Sequence, residues 1–157
     1  MTNNKNTLCL LLRAALITDD RIELSPDQRA EAFRTAREQK VVSLAYAGAK
    51  EAAELKNEFY SSVVFFYRLL SVQTLLTDAL VAEGITPVIL KGTAAGIYYP
   101  HPEYRTYGDI DFFVKPEDFE RALEILGQND FKVTQTVWPD DRHVVMLKNG
   151  VTLELHR

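Results

Sequence analysis

The stretch "RTYGDIDFFVKP", Arg105–Pro116, decides how this chain folds. Ile110, Phe112, Phe113 and Val114 form a short β-favouring run bounded by Gly108 and Pro116, which predicts a strand over "DIDFFV". The same run carries Asp109 and Asp111. Residues i and i+2 of a strand project to one face, so the two carboxylates point together while Ile110 and Phe112 point to the other side. Like charges held side by side repel, and burying them without partners is costly. A divalent cation removes the conflict. Hard carboxylate oxygens without thiolates or a histidine cluster select Mg2+ or Mn2+.

The end of the chain repeats the pattern. In "VTLELHR", Val151, Leu153 and Leu155 share one face, and Thr152, Glu154 and His156 the other. If this strand lies beside "DIDFFV", Glu154 supplies a third carboxylate, and three convergent acids make a site for two metal ions that clamp a transferring phosphoryl group. Upstream, Lys91-Gly92-Thr93 ends the β-favouring run "ITPVIL" where a helix starts. Glycine there lets the backbone approach phosphate oxygens, the first N–H groups of the helix face an anion, and Thr93 adds a hydroxyl. Lys91 offers a phosphate contact. Arg105 is placed either to neutralise a phosphate or to fix the aspartate loop. His143 and His156 read as rim residues rather than ligands, and His101 as loop. Tyr98, Tyr99, Tyr104 and Tyr107 read as packing around the turn.

Outward from these motifs the texture divides near Gly84. Before it the chain reads as helical: an amphipathic segment over Thr7–Ile17, a helix from Pro26 to about Gln39 with Ser25 as cap, a short helix in "VVSLAYAGAK", and a long helix over Glu51–Glu83 stopped by Gly84. After it come the strand ending at Lys91, a short helix in "TAAGIYY", "DIDFFV", and a helix starting at Pro116 with Gly127 as its stop. Three strands follow, over Lys132–Val137, His143–Lys148 and Val151–His156. Asn149-Gly150 joins the last two as a type I′ turn. The expected organisation is α+β, with a helical region over 1–84 and a catalytic core over 85–157.

With 157 residues, 46% hydrophobic and 25% charged, the chain is long enough for a real core. A net charge of -4 gives no basic surface for a nucleic-acid backbone. One cysteine and three histidines provide neither an internal disulfide nor a thiolate zinc site, and cytoplasmic residence is the expectation. No uninterrupted apolar run reaches the roughly 18 residues that span a bilayer, so no membrane partner is expected.

"LKGTAAGIYY", "RTYGDIDFFV" and "VTLELHR" together resemble the nucleotidyltransferase superfamily of the DNA polymerase β type, most closely its uncharacterised bacterial nucleotidyltransferase-like family. Antibiotic nucleotidyltransferases and minimal antitoxin nucleotidyltransferases are more distant relatives. The resemblance covers about residues 85–157. It implies a mixed sheet flanked by helices, a Mg2+- or Mn2+-bound nucleoside triphosphate, and nucleotidyl transfer to an acceptor hydroxyl of a small molecule, a protein or an RNA end, with release of pyrophosphate. Gly92 and Thr93 match the phosphate-binding turn, Asp109 and Asp111 the metal pair, and Glu154 the third acid. Members usually continue beyond that acid, so a core truncated at its C-terminus is expected. The alternative is a non-catalytic nucleotide-binding or protein-interaction module that keeps the fold, with the helical region as an interface, including one between copies of this chain. A phosphohydrolase or nuclease built on the same acids is a third reading.

Overall fold

The computed structural model describes residues 4–137 and 143–156. Its helices are α1 (Asn4–Arg13), α2 (Pro26–Glu38), α3 (Val42–Gly48), α4 (Lys56–Ala82), α5 (Gly92–Gly96) and α6 (Phe119–Gln128). Its strands are β1 (Val88–Leu90), β2 (Ile110–Phe113), β3 (Lys132–Val137), β4 (His143–Lys148) and β5 (Val151–His156). The chain divides into two compact units: Met1–Phe65 with Gly96–Thr106, and Phe66–Ala95 with Tyr107–Arg157. α4 runs through both.

In the first unit, local chemistry sets the helix starts and one close approach sets the packing. Ser25 caps α2 by accepting from the Gln28 N–H, the Gln28 side chain accepts from the Ser25 N–H, and Pro26 occupies the first turn. Leu8, Leu11, Ala32, Phe33, Ala36, Ala45 and Leu55 are buried together. α3 reaches this core because Gly48 has no side chain: a Cβ there would lie 2.1 Å from the Leu11 carbonyl oxygen. Tyr46 stacks on Phe59 with ring centroids 4.3 Å apart.

In the second unit a five-stranded sheet has the order β1-β2-β5-β4-β3. β2 pairs antiparallel with β1 and parallel with β5, and the remaining pairs are antiparallel. The fold is therefore α+β with a mixed sheet and flanking helices, as the resemblance implied. Alternation sorts the side chains: Val151, Leu153 and Leu155 are fully buried, with Phe112 from β2 and Met146 from β4. Each such side chain contributes about 1.5–3 kcal/mol by leaving water. The β4–β5 turn has Asn149 at φ 50° and Gly150 at φ 75°, the two positive values that a type I′ hairpin requires.

The stops of the two flanking helices differ. α4 ends on Gly84 at φ 80°, with the Ile85 N–H donating to Leu80 O and the Gly84 N–H to Val81 O, a Schellman closure. α6 does not stop at Gly127, which stays inside it. The left-handed residue is Asp130 at φ 61°, and the Phe131 N–H donates to Leu126 O. Aspartate tolerates that conformation, and closing there keeps Ile125, Leu126 and Phe131 buried. The helical stretch Ala53–Ala82 is also long and apolar enough, by length and composition, to cross a membrane, although Arg68 and Asp78 interrupt its apolar run. Leu69, Val72, Leu76 and Leu80 form its buried stripe.

Candidate functional site

β2 begins at Ile110, one residue later than the alternation suggests, so Asp109 stands just before the strand and only Asp111 lies within it. The cause is pairing: the parallel ladder to β5 starts at Ile110↔Leu153, and the antiparallel one to β1 reaches only Asp111↔Leu90. The same register makes Asp111 and Glu154 direct cross-strand partners, with Phe112 facing Leu155 one step further on the core side. In a parallel pair, opposed residues share a face, so both acids leave the sheet on one side.

Asp111 is buried, at 5% exposure, although it is a carboxylate. Burial of that charge demands partners, and two converge on the same oxygen. Lys91 Nζ lies 3.0 Å from Asp111 Oδ1, and His156 Nε2 lies 3.1 Å from it. His156 Nε2 is also 3.7 Å from Glu154 Oε2. The Lys91 ammonium is held above its ordinary value, first by its hydrogen bond to Asp111 and then by that carboxylate's charge, with smaller contributions from Asp109 and Glu154. All three acids therefore act on one lysine. Asp111, Glu154 and His156 each offer a donor atom, and these lie within 4.8 Å of one another, a set that can hold a metal ion.

The turn after β1 is held in an uncommon conformation. Lys91 has φ 52° and Gly92 φ 38°, so two successive residues are left-handed. For lysine this costs about 1 kcal/mol, and such outliers gather where a side chain must be aimed. Here the aimed group is the ammonium on Asp111. A Cβ on Gly92 would sit 3.6 Å from the Asp109 carbonyl oxygen, which places the turn against the residue just before β2.

Two expected residues take other partners. The Thr93 hydroxyl donates to the Gln73 side-chain carbonyl on α4, which ties the start of α5 to that helix. Arg105 belongs to the first unit, and its guanidinium donates to the Thr106 carbonyl at 3.3 Å. Conversely, His156 is drawn into the cluster although its sequence position suggested the rim. The available signal was its spacing, two residues from Glu154 on one strand face. What the sequence lacks is the register that sets this face beside Asp111. A cleft of about 580 Å³ in the first unit, lined by Arg21, Arg29, Tyr46, Lys50 and Tyr60 among others, includes none of the expected residues. Arg29 is already paired there with Glu51 at 2.9 Å and Glu54 at 3.2 Å.

Residues 25–157 match a family described as an uncharacterised nucleotidyltransferase. No curated protein matches the chain.

Proposed function

The chain belongs to this uncharacterised nucleotidyltransferase family, and from that membership we propose that it transfers a nucleotidyl group from a nucleoside triphosphate to an acceptor hydroxyl with release of pyrophosphate. The observation that carries this reading is the parallel register that makes Asp111 and Glu154 neighbours, beside a lysine and a glycine in a left-handed turn. Asp109, Asp111 and Glu154 would hold Mg2+ or Mn2+. Of these, Asp111 and Glu154 place carboxylate oxygens in one cluster with His156, a donor set that is chiefly carboxylate oxygen, includes no thiolate and fits such an ion. When bound, the metal neutralises triphosphate charge and makes the acceptor hydroxyl easier to deprotonate.

The residues of the chain do the rest. The Lys91 side chain is 72% exposed beyond its contact with Asp111, so its ammonium can turn to a phosphate oxygen. Gly92 and Thr93 border the β- and γ-phosphates, with Gly92 allowing close backbone approach. Glu154 accepts the proton of the acceptor hydroxyl as its oxygen bonds to the α-phosphorus. The bond from that phosphorus to the bridging oxygen breaks, and pyrophosphate leaves with the electron pair.

A second reading, a nucleotide-binding module without catalysis, draws on the Lys91–Asp111 pair and the Thr93–Gln73 bond, which satisfy part of the site from within. Calorimetric titration with Mg2+ and ATP or another triphosphate tests both. Heat of binding that disappears in the Asp109→Ala, Asp111→Ala double variant supports a metal–nucleotide site. Pyrophosphate release with candidate acceptors then supports transfer, and binding without release supports the module. Absence of binding, or binding untouched by the double variant, overturns the proposal.

A further inference from the structure

A face built for metal binding by carboxylates alone would end at Glu154, yet the next residue outward on that face of β5 is an imidazole. Val151, Leu153 and Leu155 are committed to the core, so Glu154 and His156 emerge together on the other side, next to Asp111. The distances are specific. His156 Nε2 is 3.1 Å from Asp111 Oδ1 and 3.7 Å from Glu154 Oε2, and one donor atom from each of the three falls within 4.8 Å of the others. An octahedral ion with bonds of about 2.1 Å holds adjacent donors about 3 Å apart and opposite ones about 4.2 Å apart. The two His156 distances fall in that range and all three atoms lie within 4.8 Å of one another, so a single ion can reach them once the side chains adjust. Lys91 Nζ and His156 Nε2 both lie against Asp111 Oδ1, so this buried oxygen is the point on which the cluster converges.

We propose that His156 supplies, through Nε2, a nitrogen ligand to the metal bound by Asp111 and Glu154, making a mixed nitrogen–oxygen centre that favours Mn2+ over Mg2+. The inference rests on the metal-dependent reading above and deepens it. Imidazole nitrogen strengthens binding of first-row transition ions, whereas Mg2+ prefers oxygen donors and retained water. As a ligand the ring would turn its Nε2 lone pair to the ion with its proton on Nδ1, whereas the 3.1 Å contact to Asp111 Oδ1 without the ion calls for an N–H at Nε2. His143 lies across the β4–β5 pair with its ring centroid 5.5 Å from that of His156, so it is the neighbouring imidazole against which the assignment must be checked.

The test is pulsed electron paramagnetic resonance of Mn2+ bound to the full chain, without nucleotide. The expected result is modulation from one directly bound ¹⁴N, lost in His156→Gln and in His156→Asn and kept in His143→Gln. Mn2+ affinity is expected to fall at least about tenfold in the His156 variants, and Mg2+ affinity less. If Mn2+ binds in an Asp111-dependent way but the unaltered protein shows no ¹⁴N modulation, the nitrogen ligand is refuted and the carboxylate site stands. The nitrogen ligand is equally refuted if the modulation survives His156→Gln or His156→Asn. If no Mn2+ binds, or binding ignores Asp111→Asn, both the ligand and the metal-dependent reading fail.

Discussion

Asp111 and Glu154 are direct partners across the parallel β2–β5 pair, so the order of residues along two distant strands becomes the spacing of two carboxylates on one face. Replacing either with its amide keeps the shape and removes the charge. Asp111→Asn loses the pair with Lys91 and the charge facing His156 but also removes a buried charge at constant shape, so the fold is expected to survive. Nucleotidyl transfer is expected to fall at least about 100-fold in Asp111→Asn and in Glu154→Gln. Pyrophosphate release within tenfold of the unaltered protein in either variant would remove that acid from the chemistry.

Metal addition should register in stability. An ion that binds only the folded chain stabilises it by about 2.7 kcal/mol at 100 times its dissociation constant. Urea unfolding with Mn2+ is expected to show this gain, chelation to reverse it, and Asp111→Asn to abolish it. An equal gain in Asp111→Asn would place the bound ion elsewhere.

A metal bound to Asp111 would compete with Lys91 for one oxygen of that carboxylate. Removing the ammonium in Lys91→Gln is expected to raise metal affinity about two- to fivefold without nucleotide, the modest factor of an exposed charge. Triphosphate affinity is expected to drop by a similar factor or more, because a phosphate contact is lost. Isothermal titration of each ligand checks the opposite signs; parallel changes would mean that Lys91 does not exchange between the two.

Two glycines should fail for different reasons. Gly48→Ala drives a Cβ to 2.1 Å from the Leu11 carbonyl oxygen, and the expected cost is about 3 kcal/mol or more. Gly92→Ala has room, with its nearest atom at 3.6 Å, but holds φ +38°, so only about 1–2 kcal/mol of backbone strain is expected. Chemical denaturation gives both, and a reversed order would contradict the packing of α3 on α1.

Tyr104 gives the pH dependence a sign. Burial, then the charge of Glu103, raises its titration above the ordinary 10.0, with Arg21 opposing. A value raised in the folded chain means that the contribution to folding is intact below 10.0 and is lost as pH climbs through the raised value. Tyr104→Phe is expected to flatten the alkaline fall in stability measured by urea unfolding at stepped pH, and to delete the late part of the tyrosine absorbance titration. An unchanged profile would deny the role of burial.

The elements most legible in the sequence are those whose cause is local. Ser25, Pro26 and Gln28 specify the start of α2 within one turn, and Asn149-Gly150 specifies a hairpin by backbone conformation alone. Alternation in "VTLELHR" separates core from open face. Where a choice depended on burial, the local signal failed. Gly127 looked like a stop, but α6 continued to Gln128 and closed on Asp130, because the apolar residues around it had a core to fill.

The amino-acid sequence by itself determined the α+β class, the acids and their alternation, since these follow from side-chain chemistry and a period of two. Only the tertiary structure decided that β5 lies parallel to β2 in the register that pairs Asp111 with Glu154. That register left Asp109 outside the strand, brought His156 and Lys91 onto one oxygen, and the fold turned Thr93 to Gln73. Register between distant strands is fixed by the joint burial of Phe112, Leu153 and Leu155, a property of the assembled core that no single segment carries.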